Sequence, residues 1–168
     1  MVETALWKIF DTVDMALKYA ENKNTYILTF IGTQMTVVKF LNLHLDLALK
    51  TSLIFLGITV FLCVCSFFPK SEITAWLYYL ANLHHKPSER DNLLFFGDIV
   101  KYTHDEYIDK VEKMMNTAIR GNKYCEQLCL QIVENAEIAN EKFNIFRASF
   151  GLMLIGEIFF IMSVVSVI

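Results

Sequence analysis

Apolar and polar positions alternate along this chain with a helical period, and in three places the polar positions almost vanish. Between residues 3 and 21, Leu6, Ile9, Phe10, Val13 and Leu17 recur at helical spacing, while Glu3, Asp11, Asp14, Lys18 and Glu21 fill the other face. This predicts an amphipathic helix over residues 1–23 that precedes the first uncharged stretch. Thr25 to Val38 carries no charge. Crossing ~30 Å of hydrocarbon takes roughly 20 residues, so a first span has to continue past Lys39, which snorkels, to about Leu45. Thr29, Thr33, Gln34 and Thr36 make it polar for a membrane helix and are expected to face other helices. His44-Leu-Asp46 is a turn. Thr51 to Phe68 then gives 18 residues without a charge, ended by Pro69-Lys70. The two spans form a helical hairpin over residues 24–69.

Residues 70–147 return to a mixed helical pattern. A short segment with Trp76, Tyr78 and Tyr79 suits a membrane interface. His84 to Asp91 reads as a loop, and its adjacent histidines, His84 and His85, read as solvated. Thr103-His-Asp-Glu106 fits a capping box, opening a helix expected to reach Ile119 and to break at Gly121. From Lys123 neither Gly nor Pro interrupts the pattern before Gly151. One helix is therefore expected from Lys123 to the end, with residues 148–168 as a third span and a length of roughly 69 Å at ~1.5 Å per residue. The fold class is an all-α integral membrane protein with about three transmembrane helices and a small helical domain between the second and third.

Composition agrees. Apolar residues make up 55% of 168, against 45–50% in a typical soluble domain, and mean hydropathy is +0.40. Six Gly and two Pro are too few for an all-β fold. A net charge of −3 gives no ground for nucleic-acid binding. Residues 70–147 hold 10 of the 15 Lys and Arg, so the positive-inside rule places them and the N-terminus in the cytoplasm. No cleavable signal peptide is visible.

Candidate chemistry is sparse. Glu157 lies about ten residues into its span, where an ionisable group costs ~2.5–3.5 kcal/mol. Gln34 lies at a matching depth in the first span and is placed to hydrogen-bond it. Two readings stand: a polar site in a pore or an oligomer seam, with Gln34, Lys39 and Glu157 as its residues, or a carboxyl satisfied by Gln34 within one subunit. Gly32, Gly57, Ala148, Gly151 and Gly156 offer helix-packing faces without a GxxxG motif. In Asn92-Leu-Leu-Phe-Phe-Gly-Asp98, two aromatics beside a Gly either stack on a base or anchor the segment by packing. For the first reading the candidate nucleotide ligands are Arg90, Asn92, Phe95, Phe96, Gly97, Lys101 and Lys142, with Arg147 as a further basic neighbour. Cys63 and Cys65 point to different sides of their helix, and Cys125 and Cys129 share a face. Neither pair has zinc-knuckle spacing, so buried thiols are expected and no metal. No Gly-x-Ser-x-Gly, HExxH or P-loop occurs, so neither catalysis nor a cofactor is expected.

The order of features resembles one family: an amphipathic start leading into Ala20-Glu-Asn-Lys23, two spans, Asn92 to Ile99, the capped helix with Asp105-Glu-Tyr107, and a long helix from Gln131 to Arg147 that enters a final span. It looks like the transmembrane effectors of Pycsar anti-phage systems. The resemblance implies a multi-pass protein of the bacterial inner membrane. It would be activated by cyclic CMP or cyclic UMP from a partner cyclase and would impair that membrane in abortive infection, as a homo-oligomer in contact with the lipid bilayer. The alternatives are a membrane-anchored adaptor that recruits a cytoplasmic partner through residues 70–147, and a small channel unrelated to defence.

Overall fold

The computed structural model describes residues 2–40, 46–68 and 87–167. Every regular element among them is an α-helix: α1 (Val2–Phe40), α2 (Leu47–Cys65), α3 (Phe96–Ile99), α4 (His104–Met115) and α5 (Lys123–Val167). The expectations for residues 41–45, for Trp76, Tyr78 and Tyr79, and for His84 and His85 fall outside the described residues.

Two compact units are built on these helices. One takes Met1–Ala20 with Tyr78–Lys142, the other Glu21–Leu77 with Phe143–Ile168. Helices α1 and α5 each contribute to both. The amphipathic start and the uncharged stretch after it are therefore one helix of 39 residues, because no Gly or Pro falls between them to end it. Likewise α5 is unbroken over 45 residues.

The first unit has an ordinary apolar core. Leu6, Ile9 and Val13 of α1 meet Tyr107, Ile108 and Val111 of α4 and Leu128, Cys129, Ile132, Val133 and Ala136 of α5. Helix α4 opens on the expected capping box: the Glu106 amide donates to Thr103 Oγ1 at 3.4 Å, and the Thr103 amide to Glu106 Oε2 at 2.9 Å. It stops at Met115 rather than Ile119. Asn116 turns left-handed at φ 49°, and Glu112 Oε1 accepts the amides of Ile119 and Arg120, the latter at 2.7 Å, so a side chain supplies the bonds another helical turn would have made. Gly121 follows at φ 94°, a conformation that favours glycine.

The second unit buries an apolar cluster of its own, Ile27, Ile31, Leu56, Cys63 and Met153, but it buries polar side chains beside that cluster and turns large apolar ones outward. Asn24, Gln34, Ser52, Thr59, Ser149 and Ser163 are buried, while Ile54 is 63% exposed, Phe61 58% and Val165 65%. Polar side chains inside and large aliphatic and aromatic ones outside would be costly in water; in hydrocarbon the outer face is solvated and the inner polar groups join helices. Helices α2 and α5 are long and apolar enough to cross a membrane, and their apolar stretches are mostly not buried within the chain, unlike the core helix of a soluble protein. Between these helices, Gly156 gives the close approach expected of it, since a Cβ there would stand 3.1 Å from Leu56 Cδ2. Gly32, Gly57 and Gly151, expected to pack likewise, have no neighbour within 4 Å of a built Cβ, and Ala148 is exposed. Thr25, Thr29, Thr33 and Thr36 are exposed too, not turned towards other helices; each hydroxyl donates to the carbonyl four residues earlier, at 3.0–3.2 Å. This back-bond satisfies a hydroxyl that no neighbouring helix among the described residues reaches. All four cysteines are buried thiols.

Candidate functional site

In the first unit, the segment from Ser88 to Tyr102 folds over α4 and leaves a cleft of about 480 Å³ beside it. Its shape follows from local bonds. Asn92 Oδ1 accepts the Leu94 amide at 3.0 Å, and the Asn92 amide donates to Asp98 Oδ2 at 3.0 Å, tying the start of the motif to α3. The Phe95 and Phe96 rings lie 4.7 Å apart. Phe95 lies across Gly97 so closely that a Cβ there would meet its Cε1 at 2.6 Å. Phe96 packs on the core, whereas Phe95 is half-exposed.

Lys101 holds this loop down. Its ammonium donates to Asp91 Oδ1 at 2.8 Å and to Asp98 Oδ1, and the Tyr102 hydroxyl sits 2.9 Å from the Ser88 carbonyl and 3.0 Å from Asp91 Oδ2. Hydrogen bonds from Lys101 to Asp91 and then Asp98 raise the lysine above its usual range. Burial pushes the Asp91 carboxyl up, but the bonds from Lys101, the Ser88 amide and Tyr102 outweigh it and hold it below the usual carboxylate range. With only 16% of its side chain exposed between two carboxylates, Lys101 is committed to the loop.

Among the expected nucleotide ligands, Asn92 lines the cleft, with Ser88, Glu89, Leu94, Tyr102, Lys110, Lys113 and Met114 among its neighbours. Arg90 is exposed on the adjoining turn. Phe95, Phe96, Gly97, Lys101 and Lys142 do not line it. Sequence reasoning passed over Lys110 and Lys113. Three residues apart on α4, they share a face and give the cleft two ammonium groups against Glu89 and the Lys101-paired Asp91, with Leu93, Leu94 and Met114 as its apolar lining. Their spacing after the Thr103 cap was the available signal.

In the second unit, Gln34 Nε2 donates to Glu157 Oε2 at 2.9 Å, joining α1 to α5 as their matching depths require. Gln34 Oε1 and Glu157 Oε1 are buried with no partner among the described residues, as are Asn24 Nδ2, Ser52 Oγ and Ser149 Oγ. At the start of α2, Asp46 caps the helix by accepting the Leu49 amide at 2.7 Å, and it also accepts Ser163 Oγ of α5 at 3.0 Å. Lys39 is exposed in the last turn of α1. The unit thus contains a pair of buried polar groups, one on α1 and one on α5, with hydrogen-bonding capacity left over. Among the described residues no group of three or more His, Cys, Asp or Glu is placed to hold a metal.

Comparison with known proteins adds the following. Residues 5–168 match the Pycsar effector protein domain. The Pycsar effector protein RsPycTM of a Rhizobium species is 30% identical over 160 aligned residues, covering 85% of this chain and 87% of that protein. No solved structure matches the chain.

Proposed function

Because this chain belongs to the Pycsar effector family and so has a role in anti-phage defence, we propose that it is a non-enzymatic membrane effector switched on by a cyclic pyrimidine nucleotide, cyclic CMP or cyclic UMP, which a partner cyclase makes. Three helices cross the bacterial inner membrane: α2, the end of α5, and the second half of α1. The first unit lies in the cytoplasm. The observation that carries the membrane role is the outward apolar surface of the second unit: α2 and α5 are long and apolar enough to cross a membrane with most of those stretches unburied, and Ile54, Phe61 and Val165 stand outside while Gln34, Ser52 and Ser149 are inside.

The nucleotide enters the cleft on α4. Lys110 and Lys113 take the cyclic phosphate by charge-assisted hydrogen bonds, Asn92 reads the pyrimidine edge, and Leu94 and Met114 carry its face. Binding rearranges several subunits, since one three-helix unit is too small to enclose a pore. In the assembly Gln34 and Glu157, with capacity for further hydrogen bonds, line the path that compromises the membrane, and Lys39 marks its far end. An intramembrane carboxyl is a functional group by default.

Calorimetric titration of the detergent-purified protein with cyclic CMP, cyclic UMP and cyclic AMP tests this reading. Saturable binding of one pyrimidine ligand, abolished in Lys110→Ala/Lys113→Ala, is the expected result. Binding of none of them overturns direct sensing.

A further inference from the structure

The five orphaned side-chain atoms of the second unit, Asn24 Nδ2, Gln34 Oε1, Ser52 Oγ, Ser149 Oγ and Glu157 Oε1, come from all three of its long helices. An unpaired buried polar atom is costly, and five in one small unit call for a common explanation. Their spacing puts them on the inner faces. Asn24, Ile27, Ile31 and Gln34 recur every three or four residues along α1, and Ser149, Met153 and Glu157 every four along α5. All of these except Glu157 are at most 8% exposed.

Depth then orders them. At one level the Cys63 thiol of α2 lies 4.0 Å from Asn24 Oδ1, with Ser149 beside it. Gln34 is ten residues beyond Asn24 and Glu157 eight beyond Ser149, so their bond lies roughly 12–15 Å further along the helices. Ile27, Ile31 and Met153 stand between the two levels on their own helices, and with Leu56 and Cys63 they form the apolar cluster of the unit. On α2, Ser52 lies between Leu56 and Asp46, and Asp46 accepts the Ser163 hydroxyl of α5 at 3.0 Å. The unit is thus two polar stations with an apolar layer between them. While the three helices stay packed, the orphaned atoms are enclosed, out of reach of a second subunit. Water is small enough to become their partner, and buried water bonds such groups. An apolar constriction shuts a water path by dewetting.

We propose that the second unit is a gated proton path, with Ile27, Ile31 and Met153 as the gate and Glu157 as the relay. The inference rests on the membrane reading and deepens it: the species that crosses is a proton, and its track lies inside each subunit. When activation loosens the helices, water wets the apolar layer and joins the stations. Glu157 Oε1 then takes a proton from water on the Ser52 side and passes it to water on the Asn24 side, which returns the carboxylate to its starting state. Intramembrane carboxyls serve as proton relays in this way. A proton moves along bonded water by exchanging bonds, so the track needs the width of one file of water, not that of a hydrated ion or of a pore enclosed by several subunits.

The test uses purified full-length protein in liposomes that hold a pH-sensitive dye, with an inside-negative potential set by potassium and valinomycin. The unactivated wild type should drift no faster than protein-free vesicles. Ile31→Asn and Met153→Gln each put a polar group into the apolar layer, and each should acidify the interior. Adding Glu157→Gln, which keeps the side-chain shape but cannot relay the proton, should return both to the protein-free rate. Circular dichroism and flotation with the vesicles identify the variants that are folded and inserted. Acidification that survives Glu157→Gln, or none in either inserted gate variant, overturns the proposal. Release of trapped carboxyfluorescein by the gate variants overturns it in favour of an aqueous pore and leaves the membrane reading standing. A wild type that does not float with the vesicles overturns the membrane reading and the proton path with it.

Discussion

Replacing the two partners of the Gln34–Glu157 bond should have opposite effects on stability. Gln34→Leu leaves the buried Glu157 carboxyl without the donor that reaches it at 2.9 Å; its other oxygen already lacks a partner among the described residues. Interhelical hydrogen bonds in membranes average ≈ 0.6 kcal/mol and reach ≈ 1.7, and an orphaned buried polar group costs ~1–3 kcal/mol. A loss of ~1 kcal/mol, worth ~2–4 °C in melting temperature for a chain of this size, is expected. Glu157→Leu gives up the same bond and orphans the Gln34 amide, but on the proposed membrane reading it removes a group that costs ~2.5–3.5 kcal/mol to place at mid-span, so it should equal or exceed the wild type. The double variant orphans neither side chain, so it should be at least as stable as Glu157→Leu. Thermal unfolding of the four proteins in one detergent measures this cycle. The functional arm is separate: Glu157→Leu should express and fold yet fail to kill cells when activated. If Glu157→Leu is the least stable of the four, or if the two single effects simply add, the hydrogen bond is not what couples these helices. If Glu157→Leu cells still die on activation, the carboxyl is not part of the conductive path.

Three other outcomes follow from the first unit. Ile132→Ala opens a cavity in a fully buried position and should cost ~2–5 kcal/mol, read by chemical denaturation; a cost under ~1 kcal/mol would mean that α5 is not packed there as described. Lys113→Ala should weaken nucleotide binding while leaving the melting temperature unchanged, because the residue is exposed. The Asp91–Lys101 network has a definite pH window. Asp91 is held below its ordinary 3.8, so its stabilisation is present above that value and lost as pH falls through the lowered one. Lys101 is raised above its ordinary 10.5, so its share is present below that value and lost as pH climbs through the raised one. Lys101→Met should therefore begin acid unfolding at a higher pH than the wild type, followed by near-ultraviolet circular dichroism; an unchanged acid midpoint would contradict the network.

The features legible in the sequence were those set by short-range rules. The Thr103–Glu106 box is defined by a spacing of three, and the uncharged run from Thr51 predicts a helix whose observed start, capped by Asp46, lies only a few residues earlier. Counting depth from each end of two apolar stretches was enough to pair Gln34 with Glu157 across 123 positions. What escaped depends on which partner wins. Lys101, Asp91 and Asp98 are all charged residues of one loop, and nothing in their order says that the lysine is taken by both carboxylates rather than offered to a ligand. The threonines of α1 have two ways to satisfy a hydroxyl, a neighbouring helix or their own backbone, and only the packing decides. Lys110 and Lys113 look like the solvated face of an amphipathic helix until the Ser88–Leu94 segment is seen to fold beside them.

The exposed threonine stripe of α1 has a directional consequence. A hydroxyl owns one proton, and at Thr25, Thr29, Thr33 and Thr36 that proton is turned inward to the helix backbone. What each oxygen shows outward is lone pairs alone. The stripe is a row of acceptors about one helical turn apart, so a polar group that bonds to it has to bring its own proton or a positive charge, and a bare anion finds nothing there to hold.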